Sequence, residues 1–201
     1  MGGAPMLSPV ELTPGQCRRL EKAFTNMIRL YRDSDQSAVI KLVLRIQNDE
    51  FQLGITLSDQ PDLSHINASY CDKSGGFWVA EEAGAIVGCI GLMALSPEIG
   101  VLKKFFVDQA FRGHENGISS SLFSALTSFA PTRGLKSIVL DTPSVAKRSH
   151  AFYRRAGFCP ISKDELPVPY EYPDRDSLLF RLVLPTGSTG TDSEQDKATD
   201  S

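Results

Sequence analysis

Between Phe77 and Val107 three apolar runs, 77–81, 86–95 and 99–107, are separated only by the tight turns Ala83-Gly84 and Ser96-Pro97. Runs joined this closely read as hairpins, so this stretch predicts three consecutive antiparallel strands. The rest of the domain must be built around that meander. Trp78 and Phe77 are expected in its core.

The flanking segments carry helical and strand signals in turn. Ile28 to Tyr31 is a short apolar strand, and Asp33-Ser34 caps a helix whose apolar residues recur at Val39, Leu42, Val43 and Ile46. Ser58-Asp59-Gln60-Pro61 opens a second helix running through Leu63 and Ile66 to about Tyr70. After the meander, Ile118, Leu122, Phe123, Leu126 and Phe129 follow at helical spacing. Residues 137–140 read as strand, 145–156 as helix and 178–184 as a last strand, with a short strand near Phe158. The order β-α-α-β-β-β-α-β-α-β predicts a mixed sheet with helices on its faces.

Both ends lie outside that pattern. Residues 1–27 are an N-terminal extension with a short helix from Thr13-Pro14 through Leu20 and Phe24. Residues 185–201 hold no aromatic or branched apolar residue and carry a charge of −3, the whole net charge of the chain. Such a tail cannot bury enough apolar surface to order itself, and it is expected to be a disordered acidic tail. The domain proper is 28–184.

Charge excludes one class of function. With 21 basic and 24 acidic residues the chain lacks the dense basic face a nucleic-acid scaffold needs. No apolar run reaches ~18 residues, so a membrane-spanning helix is not expected. Cys17, Cys71, Cys89 and Cys159 form no C-x-x-C pair, which predicts free thiols and no metal site. The first residues show no basic stretch followed by an apolar one, so no signal peptide and a cytoplasmic location are the expectation.

Chemistry concentrates between Lys103 and Phe129, KKFFVDQAFRGHENGISSSLFSALTSF. A strand ends at Val107, a turn carries Arg112, Gly113 and Gly117, and a helix begins near Ile118. The first amides of a helix lack intrahelical partners and sit at the positive end of its dipole, and glycine lets an anion approach them closely. Further on, Ser149-His150-Ala151-Phe152-Tyr153-Arg154-Arg155-Ala156-Gly157-Phe158 reads as a helix stopped by glycine.

That segment resembles the A-x-x-F-Y-x-x-x-G-F signature of the GNAT (Gcn5-related) N-acetyltransferases, and with the upstream R-G turn the resemblance covers 28–184. Residues 48–51 and 59–63 also look like a bacterial and fungal subgroup of that family. The resemblance implies an α/β (α+β) fold, a GNAT-like mixed, mainly antiparallel sheet flanked by helices on both faces. It implies acetyl-CoA as acyl donor and direct transfer of acetyl to a primary amine, on a small molecule or a peptide. The strand ending at Val107 would splay from the strand carrying Leu140, and the pantetheine arm would pair with backbone at Phe106 and Val107. The pyrophosphate would lie on the turn formed by Arg112, Gly113, His114, Glu115, Asn116, Gly117, Ile118 and Ser119, with Phe152 beside the donor. Tyr153 would be the general acid that protonates the departing thiolate.

Several positions depart from the family pattern. Arg112 precedes Gly117 by four intervening residues rather than two, Ser119 closes the turn, Ser149 replaces an alanine and Ala146 replaces an asparagine. Glu98, at the start of the strand leading to Val107, is the first candidate for general base, with Glu50, Asp141 and water as rivals. His150 and His65 read as surface residues, and His114 as a residue that can face a phosphate. Lys103 and Lys104, adjacent in a strand, are expected on opposite faces. The region 50–70 would form the acceptor wall, where Asp59, Asp62 and Asp72 favour a cationic amine. The alternative function is a catalytically idle acyl-CoA-binding sensor or interaction module on the same scaffold. Exposed edge strands leave room for a homodimer.

Overall fold

The computed structural model describes residues 26–113, 117–172 and 176–185. The N-terminal extension to residue 25 and the tail from 186 lie outside the described residues. Among those described, seven strands form one sheet in the order β1-β2-β3-β4-β5-β7-β6. Here β1 is Asn26–Leu30, β2 Gly76–Glu82, β3 Ala85–Ala94, β4 Ile99–Val107, β5 Ser137–Pro143, β6 Cys159–Ile161 and β7 Ser177–Val183. The meander of β2, β3 and β4 is antiparallel as the tight turns require. Ala83 (φ 48°) and Gly84 (φ 80°) both take left-handed backbone, which matches the hairpin to the twist of its strands.

Four α-helices among the described residues complete the order: α1 Gln36–Arg45, α2 Pro61–Ser64, α3 Ile118–Phe129 and α4 Lys147–Arg155. Only β4 and β5 run parallel, and α3 is the crossover a parallel pair demands. Two apolar clusters fill the two faces. Trp78, Leu92, Leu102, Leu122, Leu126, Tyr153 and Phe180 pack with α3 and α4 on one side. Val39, Leu42, Val43, Leu63, Tyr70, Phe77 and Cys89 pack with α1 and α2 on the other. Adjacent Phe77 and Trp78 fall into opposite clusters because strand side chains alternate.

The second expected helix is shorter than its periodicity suggests. It ends at Ser64, His65 leaves helical space at φ −135°, ψ 61°, and a wide π-type turn, Asn67–Cys71, follows. That break lets Tyr70 lie flat on the sheet over Gly91, where a Cβ would stand 2.6 Å from its ring. The entry to α1 also differs from the Asp33-Ser34 expectation. Asp35, not Asp33, accepts the Arg32 amide at 2.8 Å, and it also holds Arg29 of β1 by two bonds of 2.6 and 2.8 Å. Among the described residues no helix is long and apolar enough to cross a membrane.

Candidate active site

The sheet opens at one place. β4 and β5 pair through three rungs only, ending at Val101↔Val139. Beyond that rung β4 keeps its partner β3, and β5 keeps β7 along all seven of its residues. A bulge on β4 explains the parting. Lys103 faces Gly91 and Phe106 faces Cys89, so Ile90 alone opposes two residues, Lys104 and Phe105. Lys104 has φ 53°, and its carbonyl accepts the Cys89 thiol at 3.2 Å. A bulge bends the strand that carries it, and this one follows the last rung with β5.

The bulge also corrects the expected alternation of the two lysines. Lys103 pairs with Gly91, whose open face meets Tyr70, and Lys104 reaches Gln60 Oε1 at 2.8 Å and Asp62 at 3.2 Å. Both therefore face the α1 and α2 side. Burial lowers the pKa of Lys104, opposed by the charge of Asp62. The signal was present in the doubled Lys-Lys-Phe-Phe, which breaks the period of two.

At the open end of β4 the backbone alternates as well. The Asp108 amide donates to Val87 of β3 at 2.8 Å, so Val107 turns its peptide groups toward the gap while Phe106 turns its own toward Cys89. Arg112 Nε donates to the Val107 carbonyl at 2.7 Å, and its Nη2 pairs with Glu50 at 2.7 Å. Gly113 (φ 109°) and Gly117 (φ 65°) take the backbone only glycine adopts freely, with open space where a Cβ would stand. Gly117 is the N-cap of α3 and has no side chain to satisfy the helix. The amides of Ile118, Ser119 and Ser120 thus lack intrahelical acceptors, since the first α-type bond runs from Ser121 to Gly117. The Ile118 side chain is core, and Ser119 is half-buried at the rim. His114, Glu115 and Asn116 lie outside the described residues.

Helix α4 brings Tyr153 to the parting. Its ring packs between Phe105, Phe158 and Phe180, and burial together with the nearby charge of Asp141 pushes its phenol well above the ordinary range. Phe152 lies edge-on to Phe105 at 5.4 Å and Phe123 at 5.7 Å, locking α4 against β4 and α3. Gly157 (φ 91°) ends the helix, with the Phe158 amide bonding back to Tyr153 at 3.0 Å and that of Gly157 to Arg154 at 3.1 Å. His150 is not a surface residue: it is 3% exposed, with Nε2 3.0 Å from the Pro143 carbonyl. The ring has turned inward against Phe180. His65 is exposed, as expected.

Asp141, second past the last rung on β5, is the carboxylate that the fold brings beside Tyr153. Burial raises its pKa, while Lys103 and a 3.2 Å bond from the Tyr170 hydroxyl pull it down. Glu98 is brought elsewhere. It precedes β4 at the closed end, ~30 Å of strand from Val107, where it pairs with Lys136 at 55% side-chain exposure. Two of the acceptor-wall carboxylates are already engaged: Asp59 holds Thr56 at 2.8 Å, and Asp62 takes the Tyr70 hydroxyl at 2.5 Å besides Lys104. Gln47 and Gln60 exchange two amide bonds behind them. No group of three His, Cys, Asp or Glu among the described residues can hold a metal, and Cys71, Cys89 and Cys159 are free.

The model of the GNAT acetyltransferase family matches residues 40–158. A crystal structure of an acetyltransferase from Streptococcus agalactiae is 36% identical with a TM-score of 0.76, covering 80% of this chain and 99% of that one. Human N-acetyltransferase 8B is 27% identical over 68% of this chain and 62% of its own, and rat N-acetyltransferase family 8 member 2 is 30% identical over 49% and 45%. The chain spans about half the length of these curated relatives.

Proposed function

We propose, from the premise that this chain belongs to the GNAT acetyltransferase family, that it transfers an acetyl group from acetyl-CoA to a primary amine. The observation that carries the reading is the parting of β4 and β5 past Val101 and Val139, with Tyr153 and Asp141 set at its edge. The donor would supply a thioester in that gap, and the chain's residues would hold it and move protons around it. The Val107 peptide offers the pantetheine arm a strand edge, and the first amides of α3, at Ile118, Ser119 and Ser120, offer the pyrophosphate a helix N-terminus.

Asp141 accepts a proton from the incoming ammonium, so that a neutral amine attacks. The C–N bond forms as the C–S bond breaks. Tyr153 gives its proton to the departing sulfur, and the second proton of the amine restores the phenol. Products are the amide, the thiol of coenzyme A and one proton passed from Asp141 to water. Burial suits both groups: a raised carboxylate is a better base, and a raised phenol stays protonated until the thiolate appears. Glu50 is tied between Arg45 and Arg112, which favours Asp141 as the base.

Calorimetric titration of the whole protein with acetyl-CoA tests the reading, followed by thiol release in the presence of a panel of amines. Binding in the range of about 1–100 µM and amine-dependent thiol release are expected. No binding at millimolar acetyl-CoA would sink it.

A further inference from the structure

We infer that the acceptor is a small amine carrying a carboxylate close to its amino group, with Asp141 receiving the ammonium and Lys103 receiving the carboxylate. This rests on the acyl-transfer reading for the reaction but not for the recognition. Val101 and Val139 are the last paired rung of β4 and β5, and Lys103 and Asp141 each stand two residues further along. Residues two apart in a strand share a face, so the two charges look across the mouth of the gap from its opposite lips.

Their face is the one on which Tyr170 donates to Asp141 and Leu166 and Val168 pack against Val101 and Val139. On the same face Lys104 is already neutralised by Asp62, and Asp62 is held in turn by Tyr70. Lys103 is different. Among the described residues its ammonium makes no hydrogen bond and no ion pair. The face therefore presents a cation with no bonded partner and a half-buried carboxylate, close enough to influence each other yet not in contact. A zwitterion whose charges lie a few ångströms apart complements both. With one ammonium at Asp141, a diamine would set its second against Lys103, and a lone lysine side chain would bring Lys103 no carboxylate. The 166–170 segment packs beside Asp141, and Gln60, Asp62 and Tyr70 gather around Lys104.

The test is titration of the whole protein, saturated with coenzyme A, by α-amino acids with small, aromatic and acidic side chains. Each is paired with the amine left when its α-carboxylate is removed, and cadaverine is added as a diamine. At least one amino acid should bind about ten-fold tighter than its partner amine. Lys103→Met should erase that preference and Lys103→Arg should keep it, with acetyl-CoA affinity reporting that each variant is folded. Amines that bind as tightly as the amino acids, no binding by any amino acid, or a preference that survives Lys103→Met would each overturn the inference. Thiol release is scored separately. Preferential binding without release would refute acyl transfer and leave this recognition standing.

Discussion

Arg112 Nη2 lies 2.7 Å from Glu50 Oε2 while Nε of the same guanidinium donates to the Val107 carbonyl at 2.7 Å. One side chain thereby joins the turn after β4 to the segment after α1, the two halves of the candidate site. Arg45 adds a second tie, 2.6 Å from Asp108 and 3.6 Å from Glu50.

If this tie positions the turn, Glu50→Gln should weaken acetyl-CoA binding about ten-fold, and Arg112→Lys should do the same, because lysine cannot make both bonds. The double variant should be no worse than either single one, a coupling of about 1.4 kcal/mol. Calorimetry reads it. Tighter binding by Glu50→Gln would mean that Arg112 serves phosphate directly and that Glu50 restrains it.

Tyr153→Phe removes the proton that the sulfur would take while keeping the ring that Phe105, Phe158 and Phe180 surround. Turnover should fall about 100-fold, with stability changed by less than ~1 kcal/mol. Since the phenol is pushed above its ordinary 10.0, wild-type rates should show no alkaline decline from this group below pH 10. Steady-state kinetics across pH check both points.

Gly117 separates conformation from electrostatics. At φ 65° an alanine is strained by roughly 1–2 kcal/mol but leaves the amides of α3 uncovered. Gly117→Ala should therefore lower Tm and still bind acetyl-CoA. Gly117→Asp should lose binding, because its carboxylate caps those same amides and repels phosphate. Equal binding by the two variants would place the donor elsewhere.

Two carboxylates should respond to pH with opposite signs. The hydrogen bonds from Arg29 hold Asp35 below its ordinary 3.8, so its stabilisation is present above that value and fades as pH falls through the folded one. Asp35→Asn should cost roughly 3 kcal/mol at pH 7, a gap that closes in acid. Asp141 is raised by burial, so the folded chain binds more protons than the unfolded one, and its charge weakens the fold as pH rises past 3.8. Asp141→Asn should raise Tm at pH 7 and leave it unchanged below about pH 3, while acyl transfer is lost. Thermal melts of both variants over pH 3–8 decide this.

Much of this molecule was legible from local pattern. The strand ending at Val107 and the helix from Ile118 to Phe129 fall where periodicity sets them, because period and turn chemistry are properties of neighbouring residues. Gly157 announces its helix stop for the same reason, being the residue that takes φ 91° without strain. The residues around the gap were not legible in that way. Glu98 and Asp141 both read as carboxylates on strands. Only the pairing of Gly100 with Ile138 and of Val101 with Val139 sends Glu98 to the closed end and Asp141 to the open one.

The sequence by itself determined the meander, the amphipathic helices and the glycine stops, since each depends on residues within a turn or two of one another. Tertiary structure alone decided the bulge at Lys104, the inward turn of His150 and the placing of Lys103 opposite Asp141. Those depend on the register of paired strands and on packing between elements, and a shift of one residue in a strand register moves every side chain to the other face.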